Sequence, residues 1–100
     1  GCKDDDYLAL LIKHLSVVIK KFSPDFIFYQ AGVDVLATDK LGRLGLTKAG
    51  CKRRDQYVFE FVHREQIPSV VCMGGGYSPN VKDIIEAHTN TFKIAQQIFL

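Results

Sequence analysis

Asp34 and Tyr77 are the two side chains whose types and neighbours most invite a chemical role. Asp34 lies just past the short apolar run Asp25-Phe26-Ile27-Phe28-Tyr29, after Gln30-Ala31-Gly32-Val33. In open α/β sheets, the carboxyl end of a strand is where ligands bind. A carboxylate set between Val33 and Val35 has little structural reason to be there. The competing reading is a loop aspartate that caps a turn. Tyr77 follows Gly74-Gly75-Gly76, which closes a second apolar run. The glycines let backbone approach a ligand, and Tyr77 points from the loop. It could equally be an aromatic packed on the end of the sheet. Glycines between a strand and a helix also resemble a phosphate-cradling turn, but the Lys-Ser/Thr ending and the GxGxxG spacing are both missing.

Other reactive groups are scattered. His14, His63 and His88 form no pair, and Cys2, Cys51 and Cys72 have no CxxC spacing. The odd cysteine count suggests free thiols in a reducing compartment, and without a membrane span or a signal-peptide pattern the chain is expected to be cytoplasmic. One hundred residues with 13 basic and 11 acidic side chains make one domain, or a piece of one, too balanced in charge to argue for nucleic acid. The basic clusters Lys20-Lys21 and Lys52-Arg53-Arg54 read as solvated helix faces. No apolar run reaches the length of a membrane span, so no membrane partner is expected. Gly1-Cys2 lacks an initiating Met and a signal-peptide pattern, consistent with a cut end.

The elements that must position Asp34 and Tyr77 follow from periodicity. Asp4, Asp5 and Asp6 favour the start of a helix. Leu8, Leu11, Ile12, Leu15, Val18, Ile19 and Phe22 form its apolar stripe, and Ser23-Pro24 stops it. The uninterrupted run that follows reads as a strand buried on both faces. Val35 to Leu46 keeps no period and is a long loop above the sheet edge. Thr47 caps a helix from 48 to about 66, with Cys51, Val58, Phe61 and Val62 inward and Arg53, Arg54, Glu60 and Arg64 facing water. His63 near its end is a favourable C-terminal charge. Ile67 to Met73 is the second strand, with Pro68 at its entrance. Ser78-Pro79-Asn80 opens the last helix, whose stripe comprises Val81, Ile84, Ile85, His88, Phe92, Ala95 and Phe99. On that stripe His88 reads as a hydrogen-bonded core histidine. The fold class is therefore α/β, in the order helix, strand, helix, strand, helix. A crossover helix makes the strands parallel in a right-handed βαβ unit, so the Asp34 and Tyr77 loops emerge at one sheet edge.

Tyr29-Gln-Ala-Gly-Val-Asp34, Asp39-Lys-Leu-Gly42-Arg-Leu-Gly-Leu-Thr47 and Gly74-Gly75-Gly76-Tyr77, in this order, resemble the zinc-dependent deacetylases. That superfamily comprises the histone deacetylases and acetylpolyamine amidohydrolases, and the wording is nearest to its class IV-like and bacterial members. The resemblance covers essentially the whole chain. It implies that residues 1–100 are the carboxyl-terminal part of a deacetylase catalytic domain with a partial arginase-deacetylase three-layer fold. Asp34 matches a carboxylate ligand of the catalytic Zn²⁺, and Tyr77 matches the tyrosine that hydrogen-bonds the carbonyl oxygen as charge develops. Leu41 corresponds to a wall of the acyl-lysine tunnel, and Gly75 and Gly76 let backbone line the substrate stem. Asp39 falls on a commonly acidic family position, where loop hydrogen bonding is the only role its type suggests. The implied substrate is an acetylated amine, acetyl-lysine or an acetylpolyamine.

The family's paired histidines and its Asp-x-His segment have no counterpart here. A catalytic zinc takes three protein ligands, so the fragment alone is expected to be inactive and to bind Zn²⁺ weakly. The alternative is a non-catalytic α/β module that uses the Gly74–Tyr77 loop for an anion or for association. Two strands flanked by three helices leave edges and apolar surface uncovered, so self-association is expected.

Overall fold

The computed structural model describes residues 2–39 and 41–100; Gly1 and Lys40, the latter inside the Asp39–Thr47 motif, lie outside them. The elements are α1 (Asp4–Phe22), β1 (Ile27–Gly32), α2 (Lys48–Arg64), β2 (Ser69–Gly74) and α3 (Val81–Phe99). β1 and β2 pair in parallel, from Ile27 opposite Ser69 to Gly32 opposite Gly74. The expected α/β order and the parallel strands are both present. The strands begin two residues later, and end one to three residues later, than the apolar runs suggested.

Side chains alternate across the pleat, so Tyr29, Ala31 and Val71 share one face while Phe28, Gln30, Val70 and Cys72 share the other. The first face packs on α2 and α3. Phe59 of α2 meets Tyr29 edge to face at 5.6 Å and Phe99 of α3 at 5.8 Å. The second face is open, with Phe28 75% exposed and Val70 also exposed. Strands expected to be buried on both faces are thus covered on one, because the described residues supply a single helical layer to them.

α1 is bounded as expected. Acids fill its first turn and Lys20 and Lys21 its last, matching the macrodipole, and Ser23 ends it in the left-handed region at φ 43°. The aspartates do more than favour the helix start. Asp4 reaches across to accept bonds from the backbone N–H (2.8 Å) and the hydroxyl (2.5 Å) of Thr47. Thr47 in turn caps α2 by accepting from the Gly50 N–H. The expected α1 stripe is only partly used: Leu8 is buried, but Ile12, Val18 and Phe22 are exposed. α1 packs chiefly on α2, and one helix covers only part of a stripe that wide.

Further expectations change. α3 buries Ala87, Thr91 and Ile94, with Ile84 half-buried, and leaves Val81, Ile85 and Phe92 in solvent. The small side chains face α2, and the bulkier edge of the stripe points away. His88 is half-buried, and its Nδ1 finds no hydrogen-bond partner among the described residues. The Thr91 hydroxyl one turn on is committed to Asp55 and to the Ala87 carbonyl. His63 sets its ring edge to face against Phe99 at 5.4 Å. Arg54, expected in water, is 3% exposed. Its guanidinium finds Asp55 and a backbone carbonyl inside the fold, which makes burial tolerable.

Candidate functional site

Asp34 stands where β1 leaves the sheet. The Val33 N–H donates to the Gly74 carbonyl at 3.0 Å, extending the parallel ladder one residue beyond the strands, and the chain then turns. Val33 is fully buried in the core with Leu36, Cys51 and Ala87, which sends the next side chain outward. Asp34 is therefore exposed beside a firmly held neighbour.

Three glycines close around Asp34. A Cβ on Gly32 would stand 2.7 Å from its Oδ1, one on Gly75 would stand 3.0 Å from its Cβ, and one on Gly42 would collide with its carbonyl oxygen. Any side chain at these positions would displace the aspartate. Gly75 (φ 69°) and Gly76 (φ 109°) also occupy backbone that other residues rarely adopt. The glycines thus bring the Gly74–Tyr77 loop onto Asp34, as the convergence of parallel strand ends requires.

Asp39 joins the remaining pieces. Its Oδ2 accepts the N–H groups of Leu41 (3.0 Å) and Gly42 (2.6 Å), and its Oδ1 accepts that of Tyr77 (2.7 Å). One buried carboxylate therefore holds both loops. Burial works against its charge, but the three backbone bonds outweigh this and keep the carboxyl below its ordinary range. The side chains it brings to one place, Leu41 and Tyr77, are 68% and 57% exposed. The Tyr77 N–H, which an anion-cradling loop would offer to a ligand, is already taken by this carboxylate.

Behind Asp34 lies a pocket of about 310 Å³ lined by Tyr7, Gln30, Gly32, Asp34, Val35, Arg54, Gly74 and Gly75. Arg54 Nη1 donates to the Gly32 carbonyl at 2.6 Å, while its Nε and Nη2 grip Asp55 Oδ1 at 3.1 and 2.9 Å. Tyr29 and Thr91 donate their hydroxyls to Asp55, each at 2.5 Å. Burial drives the Tyr29 phenol far above its usual range, so it stays a neutral donor. Burial also opposes the Arg54 charge, but the groups beside it, Asp55 included, more than compensate. This network fixes the carbonyl two residues before Asp34. Sequence reasoning missed it, although positions 54 and 55 fall in helical phase with Cys51 and Val58.

The donor set for a metal is incomplete. Among the described residues no three His, Cys, Asp or Glu side chains gather closely enough to hold an ion. Asp34 is a single carboxylate, whereas a catalytic zinc takes three protein ligands. Cys2, Cys51 and Cys72 are all free, and burial pushes the Cys51 thiol up. No helix among the described residues is long and apolar enough to cross a membrane.

Residues 1–92 match the histone deacetylase domain family. The chain is 34% identical over 99 residues to an uncharacterized protein of Picosynechococcus sp., covering 99% of this chain and 33% of that protein. It is 36% identical over 85 residues to histone deacetylase 2 of Arabidopsis thaliana, covering 85% of this chain and 22% of that one. In structure it is similar to the crystal structure of the HDA15 HD domain, with a TM-score of 0.75 and 28% identity over 96% of this chain and 26% of that one. The chain thus spans a third or less of these relatives.

Proposed function

Because the chain belongs to the histone deacetylase family, we propose that it supplies one zinc ligand, Asp34, and the oxyanion-stabilising tyrosine, Tyr77, of an amide hydrolase. The substrate is an N-acetylated amine, acetyl-lysine in a protein or an acetylated polyamine. The activity belongs to the complete domain, of which this chain is a part, and the chain alone is inactive. The observation that carries the reading is the meeting of two loops at the carboxyl ends of parallel strands. Asp34 packs on Gly75, and Asp39 ties Leu41 to Tyr77.

Zinc bound with further ligands would supply Lewis-acid polarisation of the amide carbonyl and a nucleophilic water. The residues of this chain have the remaining tasks. Asp34 presents its carboxylate from a glycine-lined turn that allows it little freedom. The Tyr77 hydroxyl donates to the carbonyl oxygen as negative charge develops there, where a fixed donor is worth most. Leu41 lines the passage for the amine stem, and Gly75 and Gly76 keep that passage open to backbone approach.

The test is a pair of substitutions in the complete domain. Tyr77→Phe keeps the ring and removes the hydroxyl, so kcat on an acetylated amine should fall by roughly 10²–10³ with zinc content unchanged. Asp34→Asn removes a charged ligand, so zinc content and kcat should fall together. Full activity in Tyr77→Phe would return this residue to loop packing. Normal zinc and activity in Asp34→Asn would leave a shared fold without shared chemistry.

A further inference from the structure

Asp39 has more bonds than a loop aspartate needs, and they go to both sides of the site. Its Oδ2 binds two successive N–H groups of its own loop, a local turn that Asp makes readily. Its Oδ1 does something no local turn asks for: it accepts the N–H of Tyr77, 38 residues away. On the other side of the loop, among the described residues, the last such tie is the bond from the Val33 N–H to the Gly74 carbonyl, three residues before Tyr77. Gly75 and Gly76 are in left-handed backbone that confers no rigidity of its own. The next fixed points are the buried Ser78, whose hydroxyl accepts from the Asn80 N–H, and the Asn80 cap of α3. Among the described residues, the one hydrogen bond that ties Tyr77 itself across to the facing loop is therefore this charge-assisted one.

Building on the role proposed above for Tyr77, we propose that Asp39 is a positioning residue for the reaction. It holds the Tyr77 backbone against the Leu41 loop so that the phenol meets the carbonyl oxygen. It touches neither substrate nor metal. Its effect on turnover passes through Tyr77, and its effect on substrate affinity passes through Leu41. The isosteric Asn loses the charge and one of the two acceptor oxygens, so it cannot serve all three N–H groups.

A double-mutant cycle in the complete domain tests this, with Asp39→Asn, Tyr77→Phe and the double variant assayed on an acetylated lysine peptide. Asp39→Asn should lower kcat by roughly 10–100-fold, the scale of misplacing a catalytic group by about an ångström. In the Tyr77→Phe background the same change should lower kcat by less than about twofold, because no hydroxyl is left to misplace. Any rise in KM should persist in both backgrounds. An equal loss of kcat in the two backgrounds would overturn the proposal while leaving the role of Tyr77 intact. No loss in Tyr77→Phe itself would instead remove the reading on which it rests. Hydrogen exchange at the Tyr77 amide of the parent needs no variant and guards against a misfolded Asp39→Asn. Slow exchange supports the bond to Asp39, and exchange at the rate of an open loop overturns it.

Discussion

At the scale of single residues, the site shows how side-chain type can be legible while its partners are not. Asp34 and Tyr77 stood out because a charge after a buried strand and an aromatic after three glycines are unusual in their settings. Asp39 looked like any loop aspartate, because its bond to Tyr77 spans 38 residues and leaves no periodic trace. Its environment carries a pH prediction. The folded carboxyl lies below its ordinary value of 3.8, held down by three backbone donors against the opposing effect of burial. The unfolded chain therefore takes up the proton first as pH falls. The stability that Asp39 contributes is complete above the unfolded pKa and is lost as pH drops from about 4 through the folded value. Urea unfolding of the parent and of Asp39→Asn should differ at pH 7. The gap should narrow steadily below pH 4, and a gap independent of pH would show that the charge is not what matters.

At the scale of elements, α2 holds the main surprise. Its expected inward stripe, Cys51, Val58, Phe61 and Val62, is indeed buried. Arg54 and Asp55 join it because a helix face a little over 100° wide includes them, and charge alone made Arg54 look external. In a 17-residue helix, two ionised groups on the buried face must satisfy each other, and these do so with help from β1 and α3. Removing one partner strands the other. Arg54→Ala should destabilise the fold by about 3–5 kcal/mol, as for other broken buried pairs. Replacing both with apolar residues of similar size should recover most of that loss. Chemical denaturation followed by circular dichroism separates the two cases. Because Arg54 also holds the Gly32 carbonyl, the doubly apolar variant should be stable yet looser around Asp34.

At the scale of the whole molecule, the parallel pairing, the order of elements and the sheet edge bearing both loops were legible, because a crossover helix of this length admits few other arrangements. The uncovered sheet face was legible only in part. The apolar runs showed strands made for two covered faces, but not which face would lie open. Phe26 and Phe28 contact each other at 5.2 Å between ring centroids and, with Val70, present apolar surface to water. The isolated chain should therefore self-associate at micromolar concentrations, and Phe28→Lys should shift it toward monomer in sedimentation velocity. An unchanged distribution would place the association elsewhere.

The clasp between Asp4 and Thr47 has a bearing on how such a chain can drift in sequence. The Asp4 carboxylate fills the space where a side chain at position 50 would begin, since a Cβ there would overlap it. Positions 4 and 50 are thus a lock and its keyhole. A larger residue at 50 is admissible only if the side chain at 4 swings away or is shorter, and either change would sever the link between the starts of two helices. Divergence at these two sites should occur in step, with glycine at 50 wherever an acid at 4 still reaches Thr47.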